Sequence, residues 1–141
     1  MAAGVRVAGD AGRPVEAAEI GGVRELRATL TIRAFLIPSS TAADQVVERA
    51  QLCERLGYDL VAFPDRPPLP HLLEMWTLLS WIAARTSRIH LMPNVADLQL
   101  RNPVILARAA ASLDLLSDGR IDLGLGASLR GADANAMGEP P

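Results

Sequence analysis

The residues best suited to chemistry stand directly after apolar runs of the chain. Asp65-Arg66 follows the run 58–63, and Gly124-x-Gly126 ends the last such run. The Asp65 carboxylate can brace its own loop or contact a ligand, and the permanently charged Arg66 can bind or stabilise an anion. Glycines at a strand end lie where an α/β fold places a ligand. The pattern predicts binding at one edge of a sheet.

Other kinds of site lack their residues in this sequence. The two histidines, His71 and His90, have no H-x-x-x-H spacing and no His/Cys cluster, so no metal site is expected. Cys53, the single cysteine, lies among apolar residues at helical spacing, which favours a small buried residue over a nucleophile and excludes a disulfide framework. The segment 38–41 is neither a G-x-G-x-x-G fingerprint nor a P-loop.

The composition excludes several classes of partner. The chain has 141 residues, half of them apolar, and a net charge of −2. No block of Lys and Arg indicates binding to nucleic acid or an anionic membrane, and no segment has the roughly 18 apolar residues that span a bilayer. Charged residues such as Arg6, Asp10 and Arg13 interrupt the N-terminal segment, so no export signal is expected. We therefore expect a cytoplasmic protein.

Strand and helix patterns alternate from residue 30 onward. β-branched and apolar runs predict strands, and apolar residues at helical spacing predict helices between them. Thr41 or Asp44 can cap the first helix, Gly57 follows it, and Pro103 opens the third. The predicted strands are 30–37, 58–63, 89–95 and 120–126, and the predicted helices run from about 41 to 56, 70 to 86 and 103 to 117.

This alternation indicates a parallel sheet with right-handed crossovers. Four strands and three helices amount to about half of an eight-unit barrel, which takes about 250 residues. We therefore predict an α/β fold, the N-terminal half of a (β/α)8 TIM barrel over residues 29–141, after a loosely ordered extension over 1–28. The alternative is a small flavodoxin-like binding domain, in which the first strand lies beside the third in an open sheet.

Several blocks of the sequence resemble one protein family. The blocks LGYDLVAFPDRP, WTLLSWIAARTSRIHLMPNV and LARAAASLDLLSDGRIDLGLGAS, followed by AMGEPP, occur in this order within residues 30–141. They resemble the N-terminal half of the luciferase-like flavin-dependent monooxygenases, barrel enzymes that use FMN or the deazaflavin F420. The resemblance implies an oxidoreductase acting on a small organic substrate, through reduced flavin and O2 or through hydride transfer with the deazaflavin.

The resemblance also places the isoalloxazine ring over the carboxyl ends of the strands. It implies cofactor contacts from Asn94, Val95, Gly126 and Ala127. The Asn94 amide offers donors and an acceptor to the edge of the ring, and Gly126 allows the ring to approach the backbone closely. A non-proline cis peptide, frequent in this family near the end of the third strand, would fall at Asn94-Val95.

Two departures from the family pattern limit what carries over. Many relatives have Asp-His or Glu-His where this chain has Asp65-Arg66, and an arginine cannot shuttle a proton as a histidine can. Asp65 and Arg66 are nevertheless the catalytic candidates that this position offers. The loop after the fourth strand is unusually polar, with Arg130, Gly131 and Asp133, so the substrate preference of relatives is not transferred.

A non-catalytic function is the alternative. The phosphate site of such barrels usually lies in loops after the seventh and eighth strands, so this chain alone is expected to bind FMN weakly or not at all. It would then be a truncated half barrel, inactive alone or dependent on a partner chain. Unpaired edges at the first and fourth strands would favour a homo-oligomer or a complementing chain.

Overall fold

The computed structural model describes residues 6–7, 31–67 and 69–126. Short strands alternate there with three α-helices, as the sequence predicts. None of the helices in these ranges meets the length and apolarity that a membrane span requires. The strands are β1 (Arg6–Val7), β2 (Arg33–Phe35), β3 (Leu60–Phe63), β4 (His90–Pro93), β5 (Ala96–Asp97), β6 (Asp122–Leu123) and β7 (Leu125–Gly126), and the helices are α1 (Ala43–Arg55), α2 (Met75–Ala83) and α3 (Pro103–Leu116).

The strands β2, β3, β4 and β6 lie side by side in chain order. β3 pairs in parallel with β2, where Leu60 faces Arg33, and with β4, where Leu60 faces His90. A parallel bridge between Leu91 and Ile121 places β6 beside β4. This order, in which neighbours in the sheet follow one another in the chain, confirms the half barrel. It excludes the flavodoxin-like order because β3 lies between β2 and β4, the first and third predicted strands.

The three helices cover one face of this sheet. Val61, Phe63 and Leu91 point toward the helices and share one buried cluster with side chains of α1, α2 and α3. Leu60, Ala62 and Met92 alternate with them and form a separate buried cluster on the opposite, inner face. Burial on both faces explains why β3 is continuously apolar, as parallel strands are.

The ends of two helices are as predicted. Asn102 caps α3 by accepting a hydrogen bond from Val104 N at 2.9 Å, with Pro103 in the first turn. Gly57 follows α1 with a φ of 82°, the left-handed conformation that favours glycine after a helix. The positions of Pro103 and Gly57 were predicted because both signals are local, whereas Asn102 was not identified as the cap.

The predicted cap of α1 is wrong. A 3-10 turn, Ser40–Ala42, leads directly into the helix, and Ala42 stands at its N-cap without a side-chain bond. Thr41 lies inside that turn, where its Oγ1 is 3.0 Å from Ser39 Oγ. Asp44 lies in the first turn of α1 rather than before it. The turn continues the chain into the helix, so neither predicted residue occupies the capping position.

Helix α2 is shorter than the predicted 70–86 because its first residues bond elsewhere. Leu73 N donates to Pro38 O at 2.7 Å, and Ser40 N donates to His71 O at 2.8 Å. Glu74 then caps α2, since its carboxylate accepts hydrogen bonds from backbone N–H groups of the first turn. The strands are also shorter than predicted, and the fourth predicted strand is divided into β6 and β7.

The fourth predicted strand, which contains β6, was expected to be an unpaired edge, and this is wrong for the two residues of β6. β1 pairs in parallel with β6 there, with Arg6 opposite Asp122 and Val7 opposite Leu123. The remainder of the predicted extension 1–28 lies outside the described residues. A segment placed outside the barrel pattern by its composition thus contributes a strand beside the fourth barrel strand.

Candidate functional site

The predicted site residues follow β3, β4 and β6, at the carboxyl ends of these parallel strands. Asn94 N donates to Phe63 O at 2.7 Å, so the turn after β4 lies against the end of β3. The Asn94-Val95 peptide bond is cis, as the resemblance implies, and both residues are exposed. Ala96 N donates to Gly124 O at 2.8 Å, which ties the same turn to the end of β6.

The two glycines at this edge make room for that turn. A Cβ on Gly126 would collide with Val95 Cγ2, and a Cβ on Gly124 would lie 2.5 Å from Pro93 O and 2.7 Å from Met92 Cε. Packing against Val95 is therefore a sufficient reason for Gly126, and its contact with a cofactor stays a prediction. Ala127, the fourth predicted cofactor residue, lies outside the described residues.

Asp65, two residues after the end of β3, forms an ion pair with Arg101. Its side chain is 1% exposed, and it accepts hydrogen bonds from Arg101 Nη2 at 3.2 and 3.5 Å and from Asp97 N at 3.5 Å. The same Nη2 donates to Glu74 Oε1 at 2.7 Å. One guanidinium nitrogen therefore joins the end of β3, the start of α2 and the loop before α3.

The two carboxylates of this cluster differ in how readily they ionise. Burial raises the pKa of Asp65, and the hydrogen bond and charge of Arg101 only partly offset it. Burial also acts to raise the pKa of Glu74, but hydrogen bonds from Thr77 and Trp76 leave it lowered overall. Burial acts to lower the pKa of Arg101, whereas its bonds to Asp65 and Glu74 raise it overall. The cluster is thus held around a permanent cation.

Arg101 and Glu74 were not identified from the sequence. Each stands beside a local signal, since Glu74 precedes the apolar run of α2 and Arg101 precedes Asn102-Pro103 at the start of α3. Their meeting with Asp65 depends on residues far apart in the chain, 36 positions for Arg101. Arg66, the second catalytic candidate, is exposed at the same strand end.

The inner face of the sheet carries exposed apolar side chains near its first strand. Phe35 and Ile37 are each 53% exposed, and they alternate with residues that face the helices. On the same face His90 Nδ1 lies 3.4 Å from Asp122 Oδ2, a partner that the sequence did not indicate. Within the described ranges, no group of three or more His, Cys, Asp or Glu could hold a metal ion.

Comparison with known proteins gives consistent matches. A family model described as luciferase-like monooxygenase matches residues 27–141. The chain is 45% identical over 62 residues to a phthiodiolone/phenolphthiodiolone dimycocerosates ketoreductase of Mycobacterium sp. (strain JLS), a match that covers 43% of this chain and 16% of that protein. The chain therefore spans a minor part of the length of this curated relative.

Solved structures show the same fold. The coenzyme F420-dependent tetrahydromethanopterin reductase of Methanopyrus kandleri superposes with a TM-score of 0.69 at 25% identity, covering 78% of this chain and 30% of that one. The oxygenating constituent of 3,6-diketocamphane monooxygenase from the CAM plasmid of Pseudomonas putida, in complex with FMN, superposes with a TM-score of 0.66 at 19% identity, covering 76% and 32%. The matched part of each structure is about a third of its chain.

Proposed function

Because the chain belongs to the luciferase-like monooxygenase family, we propose that its strand ends form part of a flavin or deazaflavin site of an oxidoreductase. The observation that supports this is the turn at Asn94-Val95, exposed and packed against the glycine-bearing end of β6–β7. FMN and F420 are both open as the cofactor, since the two solved structures described above are an F420-dependent enzyme and an FMN complex.

The residues at these strand ends fit a flat, partly apolar ring. Val95 presents an exposed aliphatic side chain, Asn94 presents an exposed amide, and the adjacent Gly126 adds no side chain of its own. We propose that these residues, together with Ala127, hold the ring. Such a cofactor supplies the redox chemistry when bound, and the protein binds, orients and shields it.

Asp65 and Arg66 take different parts in this proposal. Asp65 has its carboxylate buried and bonded to Arg101, so it acts by fixing the loops around the site rather than by touching a substrate. Arg66 is exposed at the strand end, where its fixed positive charge suits an anionic group of the substrate or cofactor. An arginine stays charged and cannot shuttle a proton as a histidine at this position would.

Titration with lumiflavin, which is the ring without a phosphate, tests the proposal. In 15N-labelled protein, millimolar lumiflavin should shift the backbone amide signals of Asn94, Val95, Leu125 and Gly126 in a saturable way. Binding of FMN by this chain should be weak, and a complex of micromolar affinity or tighter would contradict that expectation. Absence of shifts at these amides, or larger shifts elsewhere, would overturn the proposed site.

A second function has one specific observation in its favour. The exposed Phe35 and Ile37 lie on the inner face of the sheet beside the small buried cluster there, and an exposed apolar face favours association. A half barrel that works only with a second copy or a complementing chain would cover these side chains. Light scattering after gel filtration at about 100 μM should then show an oligomer, whereas a monodisperse monomer would count against self-association.

A further inference from the structure

A hollow lies between the starts of α2 and α3, on the helix side of the sheet. Its volume is about 380 Å³, within the size range of small-ligand sites. It is lined by Glu74, Trp76, Leu100, Arg101, Asn102, Ile105, Leu106 and Ala109. The hollow lies on the helix side of the sheet, and none of the residues proposed to hold the flavin ring lines it.

Two hydrogen-bond donors of residues that line this hollow have no partner. Among the described residues, Trp76 Nε1 and Arg101 Nε are the buried side-chain nitrogens or oxygens without a hydrogen bond. Trp76 is 9% exposed, so bulk water does not satisfy its N–H. A buried donor without an acceptor costs free energy, and most buried donors in proteins have one. Both donors without an acceptor therefore belong to residues that line this one hollow.

The charges around the hollow favour a neutral acceptor. Arg101 already pairs with both Asp65 and Glu74, so these three groups sum to one negative charge when ionised. An incoming anion would meet that excess negative charge at close range. A carbonyl oxygen accepts hydrogen bonds without adding charge.

The remaining walls favour an apolar body on the same ligand. Leu100, Ile105, Leu106 and Ala109 contribute aliphatic surface, and the indole of Trp76 contributes an aromatic one. The amide of Asn102 is engaged as the cap of α3 and accepts from Val104 N. Ile105 is largely exposed at the rim, where a change of rotamer can admit a ligand.

We propose that this hollow binds a small neutral carbonyl compound with an apolar body, whose oxygen accepts hydrogen bonds from Trp76 Nε1–H and Arg101 Nε–H. An amide or ketone with four to six carbons fits this description. The affinity of so small a ligand is expected in the millimolar range, about 1–10 mM.

The indole signals of the protein provide a direct test. The chain has two tryptophans, and Trp81 is an internal control because it is exposed and stacks against the guanidinium of Arg85. Isobutyramide should shift the Trp76 Nε1–H signal of 15N-labelled protein in a saturable way and leave the Trp81 signal nearly unchanged. Isobutyrate, which has the same carbon skeleton and a negative charge, should bind at least about fivefold more weakly.

Two variants separate binding from a merely structural effect. Trp76→Phe keeps an aromatic ring and removes the N–H, and it should weaken isobutyramide binding about five- to tenfold in ligand-observed saturation transfer. Trp81→Phe should leave the affinity unchanged. The proposal is overturned if isobutyramide causes no saturable shift, if isobutyrate binds equally well, or if Trp76→Phe binds with unchanged affinity while folded. Rapid exchange of the Trp76 indole proton with water would also overturn it, by showing that water already satisfies the donor.

Discussion

Two arginines at opposite ends of the sheet differ in how completely their donors are used. Arg120 lies before β6, is 8% exposed, and donates to four uncharged oxygens of the described residues. Its acceptors are Ser117 O at 2.7 Å, Thr86 Oγ1 at 3.0 Å, Ile89 O at 3.2 Å and Ala83 O at 2.8 Å. Arg101 lies beyond the opposite ends of the strands, pairs with two carboxylates through one nitrogen, and leaves its Nε without a partner.

The two arginines show that the two ends of the half barrel differ in how fully their polar groups are paired. At the amino ends of the strands, Arg120 uses all three of its guanidinium nitrogens, and it joins the ends of α2 and α3 to Ile89, the residue before β4. At the carboxyl ends, polar groups are paired incompletely and side chains such as Val95 are exposed. Barrel enzymes place their sites at the carboxyl ends, and they place stabilising contacts at the other.

The largest effect is expected at Arg120. Arg120→Met should lower the free energy of unfolding by about 3 kcal/mol, because buried carbonyl groups lose charged donors. Urea unfolding monitored by circular dichroism measures this change. Arg108→Met, at an exposed arginine of α3, is the matched control and should cost less than about 0.5 kcal/mol. Equal losses in the two variants would contradict the role given to Arg120.

The next effect concerns the glycines at the carboxyl ends. Gly124→Ala should cost about 2–3 kcal/mol, because its Cβ would lie 2.5 Å from the carbonyl oxygen of Pro93, which is backbone. Gly126→Ala should cost less, since its Cβ meets only the side chain of Val95. Urea unfolding of both variants measures the difference.

A double variant sharpens this prediction. Val95→Ala removes Cγ2, the atom with which a Cβ on Gly126 would collide, and leaves only Val95 Cβ at an ordinary contact distance of 3.4 Å. The combination of Gly126→Ala with Val95→Ala should therefore cost less than the sum of the two single changes, by about 1 kcal/mol. Strict additivity would show that Val95 is not the reason for glycine at position 126.

A smaller effect is expected at Glu54, at the amino ends of the strands. Its Oε1 accepts hydrogen bonds from Ser87 N, Arg88 N and Ile89 N at 2.6–3.1 Å. Burial acts to raise the pKa of Glu54, but these bonds leave it below its ordinary value of 4.5. Its stabilisation is therefore present above that value and is lost as the pH falls through the lowered pKa.

Glu54→Gln should accordingly cost about 1 kcal/mol at pH 7 and progressively less as the solution is acidified. Urea unfolding between pH 3 and pH 7 measures the trend. Glu48→Gln, at an exposed position of the same helix, is the control and should show no comparable trend. A cost for Glu54→Gln that stays constant with pH would contradict the assignment.

The sequence predicted those features that depend on near neighbours. The order of strands and helices, the start of α3 at Pro103 and the turn at Gly57 are confirmed because each depends on residues a few positions apart. The cis bond at Asn94-Val95 was expected from family resemblance alone. Local physical chemistry had no means of indicating it.

Features that depend on distant partners were missed or wrong. The start of α2 was placed too early because residues 71–73 bond to the loop at 38–40, about 30 positions away. β1 beside β6 joins residues more than 100 positions apart. The composition around β1 gave no strand signal. The site followed the same rule, since Asp65 was identified as a loop-bracing or catalytic residue while its partner Arg101 was not.

The smallest effect is expected at Asp65, where the contribution to stability changes with pH in the opposite direction from that of Glu54. Burial, its largest influence, holds the pKa of Asp65 above the ordinary value of 3.8 in spite of Arg101. The folded state therefore prefers the protonated carboxyl, so this group's contribution to stability is fully present below that value and is lost as the pH rises through the raised pKa. Asp65→Asn stays uncharged at every pH and retains an oxygen that can accept from Arg101 Nη2.

At pH 7 Asp65→Asn should change the free energy of unfolding by less than about 1 kcal/mol. Its stability relative to the unmodified protein should improve as the pH rises from 3 to 7, whereas that of Glu54→Gln should worsen over the same range. Urea unfolding of both variants across one pH series makes the comparison. Parallel trends would show that the carboxylates at the two ends of the sheet are held in the same way. Opposite trends are expected because three backbone N–H groups stabilise the charge of Glu54. At Asp65, burial raises the pKa by more than the contacts with Arg101 lower it.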